Sequence, residues 1–223
     1  MKRTKLSDRK LPSYTKAEEC MNMVTHICGG GLALIGSVFC LWDVCGTKYW
    51  QDILGAAIYC AALLCVYTIS GIYHGLPKGT GKKVLQVIDH CAIYFLIAGT
   101  YTPILITGFL PAFPLIGWGL LMMQWSLAAL AVTLTAIDLE KFKVFSMVCY
   151  LFMGWGIVFF LPQTVTVMTA RGFYLLLAGG IAYTIGAILF GLGKKLRWMH
   201  AVFHLFVILG SLLHYLAITG YLY

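Results

Sequence analysis

Positions 199–221 read MHAVFHLFVILGSLLHYLAITGY, and this stretch decides the fold class. It holds no Asp, Glu, Lys or Arg, and as a helix rising 1.5 Å per residue it is long enough to cross a ~30 Å hydrocarbon core. Working outward, six further apolar stretches precede it: Asn22–Trp42, Ile53–Gly75, Leu85–Phe109, Leu115–Ile137, Val144–Leu161 and Gly172–Leu192. Short connections between them carry the breakers, such as Leu76-Pro77-Lys78-Gly79 and Leu110-Pro111-Ala112-Phe113-Pro114. Backbone that faces lipid has to bond to itself, so each stretch is predicted to be a helix. The alternating ten-residue segments of a membrane barrel are not seen.

Composition agrees. The chain of 223 residues is 61% hydrophobic and 11% charged, against about 45–50% apolar and about 25% charged in soluble domains. A formal net charge of +8 would suit nucleic acid if it formed a patch, but here the cations sit in a tail and in loops. Lys2, Arg3, Lys5, Arg9, Lys10 and Lys16 precede the first stretch; Lys78, Lys82 and Lys83, then Lys141 and Lys143, then Lys194, Lys195 and Arg197 fall on the same side of the succession. Only Lys48 and Arg171 fall on the other. Lys and Arg mark cytoplasmic loops. The expectation is an all-α, seven-transmembrane-helix bundle, N-terminus cytoplasmic and C-terminus outside, with residues 1–21 a basic tail and 22–223 one membrane domain. No cleavable signal peptide is expected, because Met1–Glu19 has no apolar core. The eight cysteines are scattered, mostly inside apolar runs, where they act as small hydrophobes; Cys40 and Cys45 are the one pair suggesting a disulfide.

Ionisable side chains inside a bilayer are costly and point to function. The second run ends Ser70-Gly-Ile-Tyr-His74, the third has Asp89-His90 near its start, and the seventh opens with His200-Ala-Val-Phe-His204. Residues four apart share a helix face, so Ser70 lies with His74 and His200 with His204, all within roughly two turns of the cytoplasmic boundary. Three imidazoles and a water make the open tetrahedral set of catalytic zinc. The Glu that follows the first His in zincins is replaced by Ala201, which leaves Asp89 as candidate base and Ser70 as a partner for water or a substrate carbonyl. The bland readings stand beside this one. A single His at a helix end, such as His26 or His90, is ordinarily a hydrogen-bonded interfacial residue, and Asp89 could pair with Lys82 or Lys83. His214, ~15 Å beyond His204, is expected to pack or hydrogen-bond, as is Ser211. Gly29, Gly30, Gly31, Gly36, Gly179 and Gly180 are expected to allow close helix approach.

At these residues the sequence resembles the hemolysin III branch of the progestin and adipoQ receptor family. Glu19-Cys-Met-Asn22-Met-Val-Thr25-His26-Ile-Cys-Gly29, Ser70-x-x-x-His74, Asp89-His90-x-x-Ile93-Tyr94-x-x-Ile97-Ala98-Gly99-Thr100-Tyr101-Thr102-Pro103 and His200-x-x-x-His204 followed by Gly210-Ser211-x-x-His214 look like its motifs in order. The resemblance implies seven helices, an intracellular N-terminus, and a Zn²⁺ held by His74, His200 and His204 with Asp89 and Ser70 in the same site, as in adiponectin receptors. Alkaline ceramidases in the wider superfamily imply hydrolysis of a lipid amide, and the branch is linked to membrane-lipid homeostasis.

The function expected is therefore a zinc-dependent hydrolase of a membrane-lipid amide or ester, in the plasma membrane, with Asp89 and Ser70 catalytic and no nucleic acid partner. Two rivals stay open: a haemolysin-type pore or channel, and a receptor or membrane sensor with structural zinc.

Overall fold

The computed structural model describes residues 4–47, 49–193 and 196–223; Lys2, Arg3, Lys48, Lys194 and Lys195 of the charge count lie outside them. Helices are α1 (Lys16–Cys45), α2 (Trp50–Gly75), α3 (Thr80–Pro103), the short α4 (Leu110–Ala112), α5 (Pro114–Ile137), α6 (Lys143–Trp155), α7 (Leu161–Leu192) and α8 (Met199–Tyr221). No strand occurs among the described residues. The helix α1 begins at Lys16, ahead of the apolar run. Thr15 caps it through a capping box: its hydroxyl accepts the Glu18 N–H while the Glu18 carboxylate accepts the Thr15 N–H. Pro103 has no N–H to return to the preceding turn, and the chain widens into a π-helical turn over Ile104–Phe109.

Six helical stretches among the described residues are long and apolar enough to cross a membrane: Lys16–Cys45, Trp50–Gly75, Thr80–Ala112, Pro114–Ile137, Lys143–Leu192 and Met199–Tyr221. The sequence offers seven runs because the fifth stretch contains two of them. That stretch is not one rod. The Trp155 indole N–H donates to the Thr184 hydroxyl at 3.0 Å, although an uninterrupted helix would hold residues twenty-nine apart at ~43 Å. The chain doubles back between them, at Thr169, where φ 62 and ψ 166 depart from helix. That region is essentially reserved for glycine.

Neighbours in the bundle are α1 with α2, α2 with α3, α3 with α5, α5 with α6 and α7 with α8, and α8 packs against α1 to close the ring. Large apolar side chains face outward: Trp42, Leu115 and Phe159 are 80% or more exposed. Polar ones turn inward, among them Asn22, His26, Ser70, Gln124, Thr135 and His204. This inversion is what a lipid solvent selects, since inward polar groups find partners and outward ones would not. Close approach is enabled at Gly29, whose added Cβ would lie 2.7 Å from the Tyr67 ring, and at Gly179, where it would overlap His214; at Gly31 no described residue would lie within 4 Å of it. Cys40 and Cys45 are both free thiols, Cys40 buried beside Cys60 and Cys45 exposed.

The two ends of the bundle differ. At one end Gly108 lies against Val167 and Leu222, and Gly172 against Tyr221. At the other the Thr4 N–H donates to Asp138, the Lys83 ammonium to the Ser7 carbonyl, and the Trp198 N–H to Glu18. The N-terminal segment therefore straps across the end that carries the Lys82–Lys83 and Lys141–Lys143 connections.

Candidate metal centre

Under that strap His74, His200 and His204 converge, all nearly inaccessible. The Nε2 of His200 lies 3.2 Å from that of His74 and 3.1 Å from that of His204. Metal–nitrogen bonds of 2.0–2.1 Å at tetrahedral angles put ligand nitrogens ~3.3 Å apart. The three imidazoles form a group that can hold a metal ion.

Hydrogen-bond accounting gives a second reason. His74 Nδ1 faces the Glu19 carboxylate at 2.7 Å, an acceptor only, so Nδ1 carries the hydrogen and Nε2 a bare lone pair. His204 Nδ1 faces the Asn22 carbonyl at 3.2 Å and the Thr25 hydroxyl at 3.1 Å. That hydroxyl's single hydrogen is shared between the Met21 and Asn22 carbonyls, so both neighbours accept and His204 Nε2 is bare as well. His200 Nε2 stands between two lone pairs, and a proton on it satisfies only one of them. A cation among the three satisfies all. A carboxylate behind a ligating His is the usual orienting partner of such a site.

The scaffold comes from four helices: α2 and α8 carry the ligands, and α1 and α3 support them. The α1 face with Glu19, Asn22, Thr25 and His26, spaced three, three and one apart, lies against the ligands. The His26 ring sits 3.6 Å from that of His204, and neither His26 nitrogen is hydrogen-bonded to a described residue. Lys82 holds Glu19 from behind at 2.8 Å and donates to the His74 and Leu76 carbonyls. Tyr14 stacks on His200 at 5.0 Å. Burial, with the nearby Glu19 charge, raises the Tyr14 phenol well above its usual range, so it remains protonated. Trp198, at φ 68, starts α8 from a left-handed turn, and Glu18 pins its N–H just before His200.

Sequence spacing anticipates His74, His200, His204 and the shared face of Ser70 with His74. It misses Glu19, Asn22, Thr25, Lys82 and Tyr14 as supports, although the i, i+3 spacing along α1 was the available signal. Lys82 pairs with Glu19 rather than with Asp89. Asp89 lies 3.9 Å from His90, and His90 Nδ1 faces the Gln86 carbonyl. Ser70 and Asp89 line one cavity with His26, His200 and His204. Its volume is about 170 Å³, and it runs between α3, α6, α7 and α8 past Leu96 and Val207 to His214.

A family model described as Haemolysin-III related matches residues 14–215. The chain is 33% identical to Hemolysin-3 of Bacillus cereus over 92% of its own length and 91% of that protein. It is 34% identical to the Hemolysin-3 homolog of Bacillus subtilis (strain 168), covering 93% and 96%. With the human Monocyte to macrophage differentiation factor it shares 31% identity, covering 92% and 85%.

Proposed function

Because the chain belongs to the haemolysin-III related family of multi-pass membrane proteins, and carries a three-histidine centre, we propose that it is a zinc-dependent hydrolase of a membrane-lipid amide or ester. The observation that carries this reading is the junction of three converging Nε2 atoms with an elongated, largely apolar cavity that also bears Ser70 and Asp89.

The chain crosses the bilayer seven times, N-terminus in the cytoplasm and C-terminus outside. Supporting this, the reversal at Thr169 divides Lys143–Leu192 into two passes, and the basic connections meet at the histidine end. The centre then lies near the cytoplasmic face of the plasma membrane.

Bound zinc lowers the pKa of its water toward ~7 and polarises a carbonyl. The chain's own residues do the rest. Glu19 holds His74, and Asn22 with Thr25 holds His204, in the tautomer that presents Nε2. Asp89 takes a proton from the attacking water and passes it to the departing amine or alcohol as the acyl bond breaks, and Ser70 donates to the acyl oxygen. The cavity walls seat the lipid chain and keep bulk water out. Purified protein should contain about one zinc per chain and release fatty acid from one member of a panel of lipid amides and esters. Zinc without turnover of any of them would favour the sensor with structural zinc, for which the burial of all three ligands beneath Tyr14 also argues.

A further inference from the structure

The cavity does not end in hydrocarbon. At its far end His214 donates from Nε2 to the Leu176 carbonyl at 3.0 Å, and Gly179 fits against the same edge of the ring. This fixes Nδ1 as an acceptor, and it has no hydrogen-bond partner among the described residues. His214 also lines a second cavity of about 30 Å³ that shares Tyr101, Trp155 and Gly180 with the first. Three donors that line this second cavity are already engaged: the Thr100 hydroxyl to Leu96, the Tyr101 phenol to Gly154, the Trp155 indole to Thr184.

The space would admit one water, but a buried water typically makes about three hydrogen bonds. It would find an acceptor in Nδ1 and no free donor among these groups. A hydroxyl carried on a chain that already fills the cavity needs only the one bond. Ten residues of α8 separate His204 from His214, ~15 Å along the axis.

We infer that the cavity takes a two-headed amphiphile: an acyl chain whose carbonyl end lies at the histidine centre and whose far end bears a hydroxyl that donates to His214 Nδ1. The inference rests on the reading of the cavity as the seat of a lipid chain. The test is competition for labelled dodecanoate bound to the protein in nanodiscs, comparing dodecanoate with 12-hydroxydodecanoate. The hydroxylated chain should bind about three- to tenfold tighter, the worth of one buried hydrogen bond, and His214→Leu should abolish the preference while binding dodecanoate as before. Equal affinities in the wild type would overturn the subsite and leave Nδ1 to water, with the lipid cavity intact. If neither chain binds, the cavity reading falls and the subsite with it. The wild-type comparison holds even if the variant does not fold.

Discussion

His204 and His214 share α8, yet the two ends of that helix use the same side chain in opposite ways. At the strapped end Nδ1 is committed to oxygens of α1, and Nε2 is left bare beside two other imidazoles. At the far end Nε2 is committed to a carbonyl of α7, and Nδ1 is left bare and alone. Converging lone pairs call for a cation; a solitary one calls for a donor. The identity of the neighbour that takes the first nitrogen, rather than the histidine itself, decides what the second can bind.

The sharpest way to break this contrast is to ask whether the two ends lie on opposite sides of a membrane. The effect is all or none. A reporter active only outside the cytoplasm should work when fused after Tyr223 and fail when fused before Met1. Both fusions reporting one side would remove the seven-crossing arrangement and the cytoplasmic placement of the centre.

Next in size is the loss of a ligand. His200→Ala or His204→Ala should forfeit several kcal/mol of an apparent site energy of about 10 kcal/mol or more, seen as zinc per chain falling well below one. Near-stoichiometric zinc in the double variant would refute the ligand set.

Asp89 sharpens the comparison between holding a metal and using it. Asp89→Asn keeps the shape and loses the base, so zinc content and thermal stability should match wild type while turnover drops roughly 10²–10⁴-fold. Unchanged turnover would take Asp89 out of the mechanism, and lost zinc would make it part of the coordination.

What the sequence disclosed tracks the range over which each feature is determined. Ser70 with His74, and His200 with His204, are pairs within single helices, so helical periodicity alone exposes them. Glu19 and Thr25 act on residues 55 and 179 positions away. Their role depends on α1 packing against both α2 and α8, which no local pattern encodes. His26 read as an interfacial residue for a like reason, since only the α1–α8 contact brings it against His204. The fifth stretch is the opposite case: the polar segment Pro162–Arg171 already divides Val144–Leu161 from Gly172–Leu192 in the sequence, and only the exact point of reversal, at the β-branched Thr169, gives no turn signal.

Glu19 gives the smallest effect and the most exacting test, because its two oxygens serve different ends. One faces His74 Nδ1 at 2.7 Å and the other the Lys82 ammonium at 2.8 Å. In Glu19→Gln the amide oxygen can still accept from His74, but the amide NH₂ then confronts Lys82, donor against donor. Turning the amide round satisfies Lys82 and removes the acceptor from His74. Either way the carboxylate that orients the ligand is gone. Zinc affinity, measured by competition with a chelator of known strength, should fall about 10- to 100-fold, the usual cost of losing such an orienting partner. Lys82 is 3% exposed, so the variant should also lose thermal stability from a buried ammonium stripped of its counter-charge. Adding Lys82→Met separates the two effects. Stability should return, because no charge is left unpaired, while zinc affinity should stay low, because His74 still lacks its carboxylate. Recovery of zinc binding in the double variant would mean that Glu19 acts by neutralising Lys82 rather than by orienting His74. The distinction between the two ends of α8 would then have to rest on His204 and its α1 oxygens alone.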